Sequence, residues 1–204
     1  MHPATFLNQH PVFTTREYAL LCGKGIDSAS RSLNNLAREG AITRVTRGIW
    51  MQPQNLAFTP NVLIPYLLGT EQGYLSFLSA MHLHGLLGQI PVSIQIATTG
   101  HARGLSSQAG YFEFIHLKPV MMTSGVTAFD VGNTFYPLAT PEKALLDTLY
   151  IATRRGNRFA SLPELNCESL NAGIFYTLLK EQVPAQPISV AIRKRAAEIG
   201  LPGM

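Results

Sequence analysis

Between Ser28 and Gly40 the apolar residues fall at Ala29, Leu33, Leu36 and Ala37. That three- and four-residue spacing predicts a helix with one stripe packed on a core. The same stretch sends a polar front outward, made of Ser28, Ser30, Arg31, Asn34, Asn35 and Arg38. Ser28 has the chemistry of an N-cap, and Gly40 stands where a helix-ending glycine belongs. Upstream, Thr14 and Glu17 have capping-box spacing. A short helix over about 15–22 is expected to follow, burying Tyr18, Leu21 and Cys22 before Gly23-Lys24-Gly25 breaks it. Downstream, AITRVTRGIWMQ reads as a small hairpin: Ile42 and Val45 lead in, Thr46-Arg47-Gly48 turn, and Ile49-Trp50-Met51 return.

The pattern changes after Phe58–Asn61, which looks like a boundary, with Thr59 and Pro60 placed as N-cap and first helical residue. VLIPYLLG predicts a short apolar helix ended by Gly69, and SFLSAMHLHG a mostly buried helix over 76–85. Val92, Ile94 and Ile96 alternate with polar or small residues, which is strand periodicity. Further strands are expected over 111–118 and 125–131. Thr140-Pro141-Glu142 opens a helix with cap, proline and acid in favourable order, and Arg154-Arg155-Gly156 closes it. Two more helices are expected near 169–181 and 187–199. The fold class is therefore α+β, in a mixed α/β arrangement. A winged helix-turn-helix is expected over residues 1–55, and a body with a small sheet and several helices over 56–204.

Composition supports a globular chain: 46% of residues are hydrophobic and 14% charged. No apolar run approaches the roughly eighteen residues of a membrane helix. The opening MHPATFLNQHPVF has neither a basic region nor a continuous apolar one, so no signal peptide is expected. Cys22 and Cys167 suggest no disulfide framework or zinc site, and a reduced, cytoplasmic protein is the simplest reading. The formal net charge is +4. Residues 1–51 hold six basic and three acidic side chains, residues 52–150 three and five, and residues 151–204 seven and four. Positive potential thus sits at the two ends of the chain, where it can attract phosphate, although an ordinary charged surface gives similar totals and charge alone does not decide.

The front of the 28–40 helix carries the groups that base edges need. Arg holds guanine O6 and N7 in a bidentate pair, and Asn does the same with adenine N6 and N7. A short helix, a glycine turn and such a second helix make a helix-turn-helix whose second helix enters the major groove. Arg44, Thr46 and Arg47, at or near the hairpin tip, suit a wing lying on the phosphate backbone. An ordinary helical hairpin with a solvated charged face has the same residue content. The order of helix, glycine turn, helix, glycine and Arg-Gly hairpin favours the DNA reading, although some winged helices bind protein instead.

The body shows no comparable constellation. His82 and His84 are two apart on an expected helix, so their side chains point to nearly opposite faces and do not share a metal. Lys143 and Asp147 have the spacing of an ordinary surface ion pair, and with Glu142 they are read as structural. His101, Arg103 and His116 flank expected strands without a third partner of clear role. GxxxxGK[ST], HExxH and GxSxG are all missing from the chain. No catalytic residue, cofactor or metal is expected. An enzyme, a nuclease-like domain joined to a DNA reader, stays open as an alternative, as does a protein-binding module with secondary DNA contact.

Three stretches in order carry a family resemblance: RVTRGIWMQP closing the first domain, YLSFLSAMHLHGL at 74–86 and TPEKALLDTLY at 140–150. With them the chain resembles AbiEi-type proteins, the antitoxin and transcriptional-regulator component of type IV toxin–antitoxin abortive-infection systems. The resemblance spans about residues 12 to 155. It implies an N-terminal domain that represses its own operon by binding inverted repeats in the promoter. It also implies a C-terminal domain opposing a nucleotidyltransferase-like toxin encoded beside it. Carried onto this chain, the DNA contacts are Arg31, Asn34, Asn35 and Arg38 on the recognition helix, with Arg44 and Arg47 on the wing.

Overall fold

The structure, a computed structural model, describes residues 2–154, 158–159 and 161–203. It begins with a helix that periodicity does not reveal, α1 (Pro3–Gln9), because seven residues make too few turns to show a stripe. The His2 ring caps it by accepting from the Ala4 N–H at 3.3 Å. Its Phe6 is fully buried and meets Phe13 and Tyr18 edge-on, with ring centroids 4.9 and 5.2 Å apart. Strand β1 (Val12–Thr14) leads straight into α2 (Thr15–Leu21). The capping box forms as its spacing predicts: Thr14 Oγ1 accepts from the Glu17 N–H at 3.1 Å, and Glu17 Oε2 accepts from the Thr14 N–H at 2.6 Å.

Two local expectations are corrected here. Leu21 is 39% exposed rather than buried, because α2 ends on it and Gly23, at φ +63°, turns the chain away. Helix α3 spans Ile26–Arg38 and starts before Ser28. Gly25 is the N-cap and its carbonyl accepts from the Ala29 N–H at 2.9 Å, so Ser28 lies in the first turn instead of capping it. The far end behaves as expected. Gly40 sits at φ +76°, and its N–H and that of Ala41 bond to the carbonyls of Ala37 and Leu36 at 3.2 and 3.0 Å. This double closure satisfies two of the helix's orphan carbonyls. Ala29 and Leu33 are fully buried in a core shared with Phe6, Phe13, Tyr18, Ile42 and Trp50.

The hairpin is β2 (Thr43–Thr46) and β3 (Ile49–Met51), turning at Arg47-Gly48. Its return strand also pairs with β1, so the sheet order is β1-β3-β2 with both pairings antiparallel. Beyond it, Pro60–Leu63 form a 3-10 turn before α4 (Ile64–Leu68), where one helix was expected. Thr59 makes no side-chain cap, and its hydroxyl is buried without a hydrogen-bond partner.

The body follows with β4 (Gly73–Leu75), α5 (Phe77–Leu83), β5 (Ile94–Thr98), β6 (Arg103–Ser107), β7 (Gly110–His116), β8 (Val126–Val131) and β9 (Thr134–Ala139). Three helices end it: α6 (Pro141–Arg154), α7 (Ala172–Gln182) and α8 (Gln186–Glu198). The strands make one sheet in the order β6-β7-β5-β4-β9-β8. Strand β4 runs antiparallel to β5 and parallel to β9, and β5 runs parallel to β7. Thr140 caps α6 as expected, its hydroxyl accepting from the Lys143 N–H at 3.3 Å. The expected end of that helix is described only to Arg154; Arg155 and Gly156 lie outside the described residues.

The fold is mixed α+β, with a small three-stranded sheet and a mixed six-stranded one. Two units can be distinguished by their internal packing. One comprises residues 1–69 with 106–111 and 129–136, and the other 70–105, 112–128 and 137–204. The first therefore extends beyond residue 55 and takes in two segments from later in the chain. Among the described residues, no helix is long and apolar enough to cross a membrane.

A Cβ at Gly40 meets no atom within 4 Å, so only its backbone angle opposes substitution. Gly40→Ala is expected to destabilise the protein by about 1 kcal/mol, whereas Gly25→Ser gains a few tenths. Urea unfolding of the two variants checks the pair; equal effects would contradict the assigned helix ends.

Candidate nucleic-acid interface

Helical geometry sorts the polar front of α3 into rows. With Ala29 and Leu33 turned inward, Arg31 and Arg38 lie almost diametrically opposite, with Asn34 and Asn35 to either side. All four are exposed, and so is Ser28, on the flank away from the hairpin. Arg38 Nη1 donates to Asn35 Oδ1 at 3.3 Å. Asn34 has no such commitment among the described residues, which leaves both ends of its amide open.

The flank facing the hairpin borders a groove of about 690 Å³. Ile26, Ser30 and Asn34 line it from α3, Arg44, Arg47, Gly48 and Trp50 from the hairpin, and Thr14, Thr15 and Arg16 from the start of α2. The structure thus gathers Ser30, Asn34, Arg44 and Arg47 around one space. Arg31, Asn35 and Arg38 form the adjoining outer face, and Ser28 belongs to neither. Thr46 contributes its carbonyl, which accepts from Arg44 Nε at 3.3 Å and holds the guanidinium against the strand. The Arg44 guanidinium also lies 5.8 Å from the Trp50 ring centroid.

Arg16 was missed in the sequence. Nothing local marks it, because what brings it to the hairpin is a pair of long-range bonds. The Thr15 N–H donates to Gly48 O at 2.9 Å, and Trp50 Nε1 donates to Thr15 Oγ1, also at 2.9 Å. These draw the hairpin tip onto the first turn of α2. The electrostatics are one-sided: no carboxylate lines the groove. Glu17 is engaged in the capping box, and among the described residues Arg16, Arg31, Arg38, Arg44 and Arg47 take part in no ion pair.

The second unit holds different chemistry. His82 Nδ1 bonds the Leu87 carbonyl at 3.0 Å and His84 Nε2 the Ala139 carbonyl at 2.7 Å, so the two rings serve separate backbone groups. Arg103 pairs with Glu71 at 2.8 Å. Among the described residues, no group of three His, Cys, Asp or Glu side chains is placed to hold a metal ion. Burial pushes the Cys167 thiol up from its ordinary value, which disfavours a nucleophilic thiolate.

Lys143 and Asp147 correct the expectation of a surface pair, since both side chains are fully buried. Lys143 Nζ donates to Asp147 Oδ1, while Tyr74 OH and Ser76 Oγ donate to Oδ2 at 2.9 and 2.8 Å. Burial pushes the carboxyl up and the ammonium down, and each opposes the shift of the other. Next to Ser76, Phe77 takes a left-handed backbone at φ +55°. The Ser76 and Leu78 N–H groups on either side both bond Gln95, through its carbonyl and its side chain, at 3.0 Å. The network holds strained backbone in place and offers no open position to a substrate.

No family model and no curated protein matches the chain. Among solved structures it is similar to an antigenic nucleotidyltransferase-like protein from Paracoccidioides brasiliensis. The identity is 9% and the TM-score 0.37, over 68% of this chain and 86% of that one.

Lys143→Met leaves a buried carboxylate without its cation and is expected to cost about 3–5 kcal/mol. Lys143→Met with Asp147→Leu and Ser76→Ala removes the charges and the Ser76 hydroxyl, while Tyr74 OH keeps the Met121 carbonyl at 3.2 Å as acceptor, and should recover most of that loss. Guanidinium unfolding of both variants decides, and equal losses would show that the pairing is immaterial.

Proposed function

We propose that this protein is a double-stranded-DNA-binding transcriptional regulator whose residues 12–51 act as a winged helix-turn-helix. The observation that carries the reading is the polar face of α3, continuous with a groove that gathers Arg16, Arg44 and Arg47 and has no carboxylate in its lining. Helix α3, with 13 residues, is about 20 Å long, and a major groove of about 12 Å admits such a helix side-on. In this pose Arg31 and Asn34 reach base edges. Asn35 joins them once Arg38 turns to a phosphate. Arg44 and Arg47 lie along the neighbouring backbone, Arg16 holds a phosphate at the start of α2, and Ser28, Ser30 and Thr46 donate from the margins. Sequence is read by the first group and register is set by the second.

The resemblance to AbiEi-type proteins supports a biological setting for this reading. The operator would be inverted repeats in the protein's own promoter, and repression would be the outcome of binding. The second unit would oppose a nucleotidyltransferase-like toxin encoded alongside, in a cytoplasmic phage-defence system. The protein then works by occupancy of DNA and of its partner, without a reaction of its own.

Fluorescence anisotropy with the promoter fragment tests the proposal. Arg31→Ala and Asn34→Ala should each weaken specific binding by about 1–3 kcal/mol, and relax sequence preference at one position. Arg16→Ala, Arg44→Ala and Arg47→Ala should weaken specific and random duplexes alike, each lowering the salt slope by about one. Unchanged promoter affinity in a variant with Arg31, Asn34, Asn35 and Arg38 all replaced by Ala would defeat the reading.

A further inference from the structure

We infer that the second unit carries a binding site for a phosphate monoester, in a small cleft lined by His116, Lys118, Tyr150, Ile151 and Arg154. The inference is independent of the DNA reading, which rests on the first unit. The cleft has a volume of about 230 Å³. That falls below the roughly 300 Å³ at which pockets begin to enclose whole drug-sized ligands, and suits a phosphoryl group whose remaining atoms lie outside.

Three of the five lining side chains are basic and none is acidic. The carboxylates of this unit are engaged or placed elsewhere. Glu71 pairs with Arg103, Glu113 with Arg158, and Asp147 with Lys143. Glu142 accepts from the Asn171 N–H and Glu181 from the Ser124 hydroxyl. Glu164 and Glu168 line a different cavity, and Glu198 lines another. Among the described residues, no ion pair neutralises His116, Lys118 or Arg154. Arg154 is the last described residue of α6; a helix C-terminus there would add at most about half a negative charge, which the basic side chains outweigh.

The donors are also held in place. His116 ends β7, and its Nδ1 lies 2.8 Å from the Gly100 carbonyl. A carbonyl only accepts, so Nδ1 carries a proton; Nε2 is left uncommitted, accepting in the neutral ring and donating only in the imidazolium, so Lys118 and Arg154 supply the donors an ionised phosphate needs. Arg154 Nη1 donates to the Tyr150 hydroxyl at 2.6 Å, which fixes the guanidinium and leaves its other N–H groups available. The Tyr150 residue itself is buried, and its ring centroid lies 5.5 Å from the guanidinium that its hydroxyl holds. His116 is the last residue of β7, so the cleft lies beside the carboxyl end of that strand.

Two sources could supply the phosphate monoester, the free ion or the 5′-phosphate of a nucleotide, and the probes separate them. The full-length protein is titrated by calorimetry, at constant ionic strength, with inorganic phosphate, with uridine 5′-monophosphate and with chloride. Saturable binding of phosphate but not chloride is expected in the unaltered protein. Tighter binding of the nucleotide assigns the monoester of a larger ligand, and equal binding assigns the free ion. Lys118→Ala with Arg154→Gln should weaken either by about tenfold or more, because two charge-assisted donors are lost. Both side chains are exposed, so the variant should keep the far-UV circular dichroism and melting temperature of the parent. Absence of saturable binding in the parent overturns the inference, as does binding in the folded variant at the parent's affinity. A variant that loses affinity for duplex DNA while binding both monoesters normally would also overturn it, by assigning the cations to a phosphodiester backbone.

Discussion

Strand β3 is the constraint on which the first unit depends. It lies between β1 and β2, so its three residues are bonded on both sides. Trp50, nearly fully buried at its centre, drives its indole N–H into Thr15 while its ring supports Arg44. Through these contacts a hairpin that would be only marginally stable alone becomes fixed relative to α2 and α3. The distance between the face of α3 and the hairpin arginines follows from that one strand, and a looser strand would leave the arginines without a common target.

The second unit divides its charges by burial. Its most protected ionisable groups, Lys143 and Asp147, are sealed among hydroxyls that link α6 to β4 and to the start of α5. Its exposed basic side chains at His116, Lys118 and Arg154 are kept clear of carboxylates. Desolvation makes the first arrangement demanding in geometry, while the second leaves net charge facing solvent. The two kinds of site therefore call for different variants: shape-preserving replacements inside, and charge-neutralising ones at the rim.

What the sequence revealed follows from the range of the forces involved. The helices from Thr14 to Gly40, the hairpin and α6 are set by caps, glycines and stripes within a few residues, and they were readable. Helix α1, β1 and β4 are too short to show a period, and β1 finds its partner in β3 nearly forty residues later. Strand β9 contains Pro137, which weakens any strand pattern around it. The outer face of α3 was legible for the same local reason that the helix was. Arg16 was not, because its position depends on the bonds between Thr15 and the hairpin. Lys143 and Asp147 show the limit of spacing as a guide, since an i,i+4 pair looks the same on a surface and in a core. The better signal was around them: Leu145, Leu146, Leu149 and Ile151 clothe several sides of α6, and a helix apolar all round is a buried one.

The parallel pairing of β4 with β9 has a kinetic side. Leu75 and Leu138 lie opposite each other although 63 positions apart, with four other strands of the chain between them in sequence. Closing a loop of that length carries an entropic cost that the β4–β9 contacts must offset. The β1-to-β3 layer closes a shorter loop around helices that are already locally encoded. By loop length the β4–β5 and β1–β3 pairings are the less demanding to close and the β4–β9 pairing the most demanding. During synthesis β4 emerges long before its partner β9 exists, so one edge of it waits unpaired until residue 138 has been made.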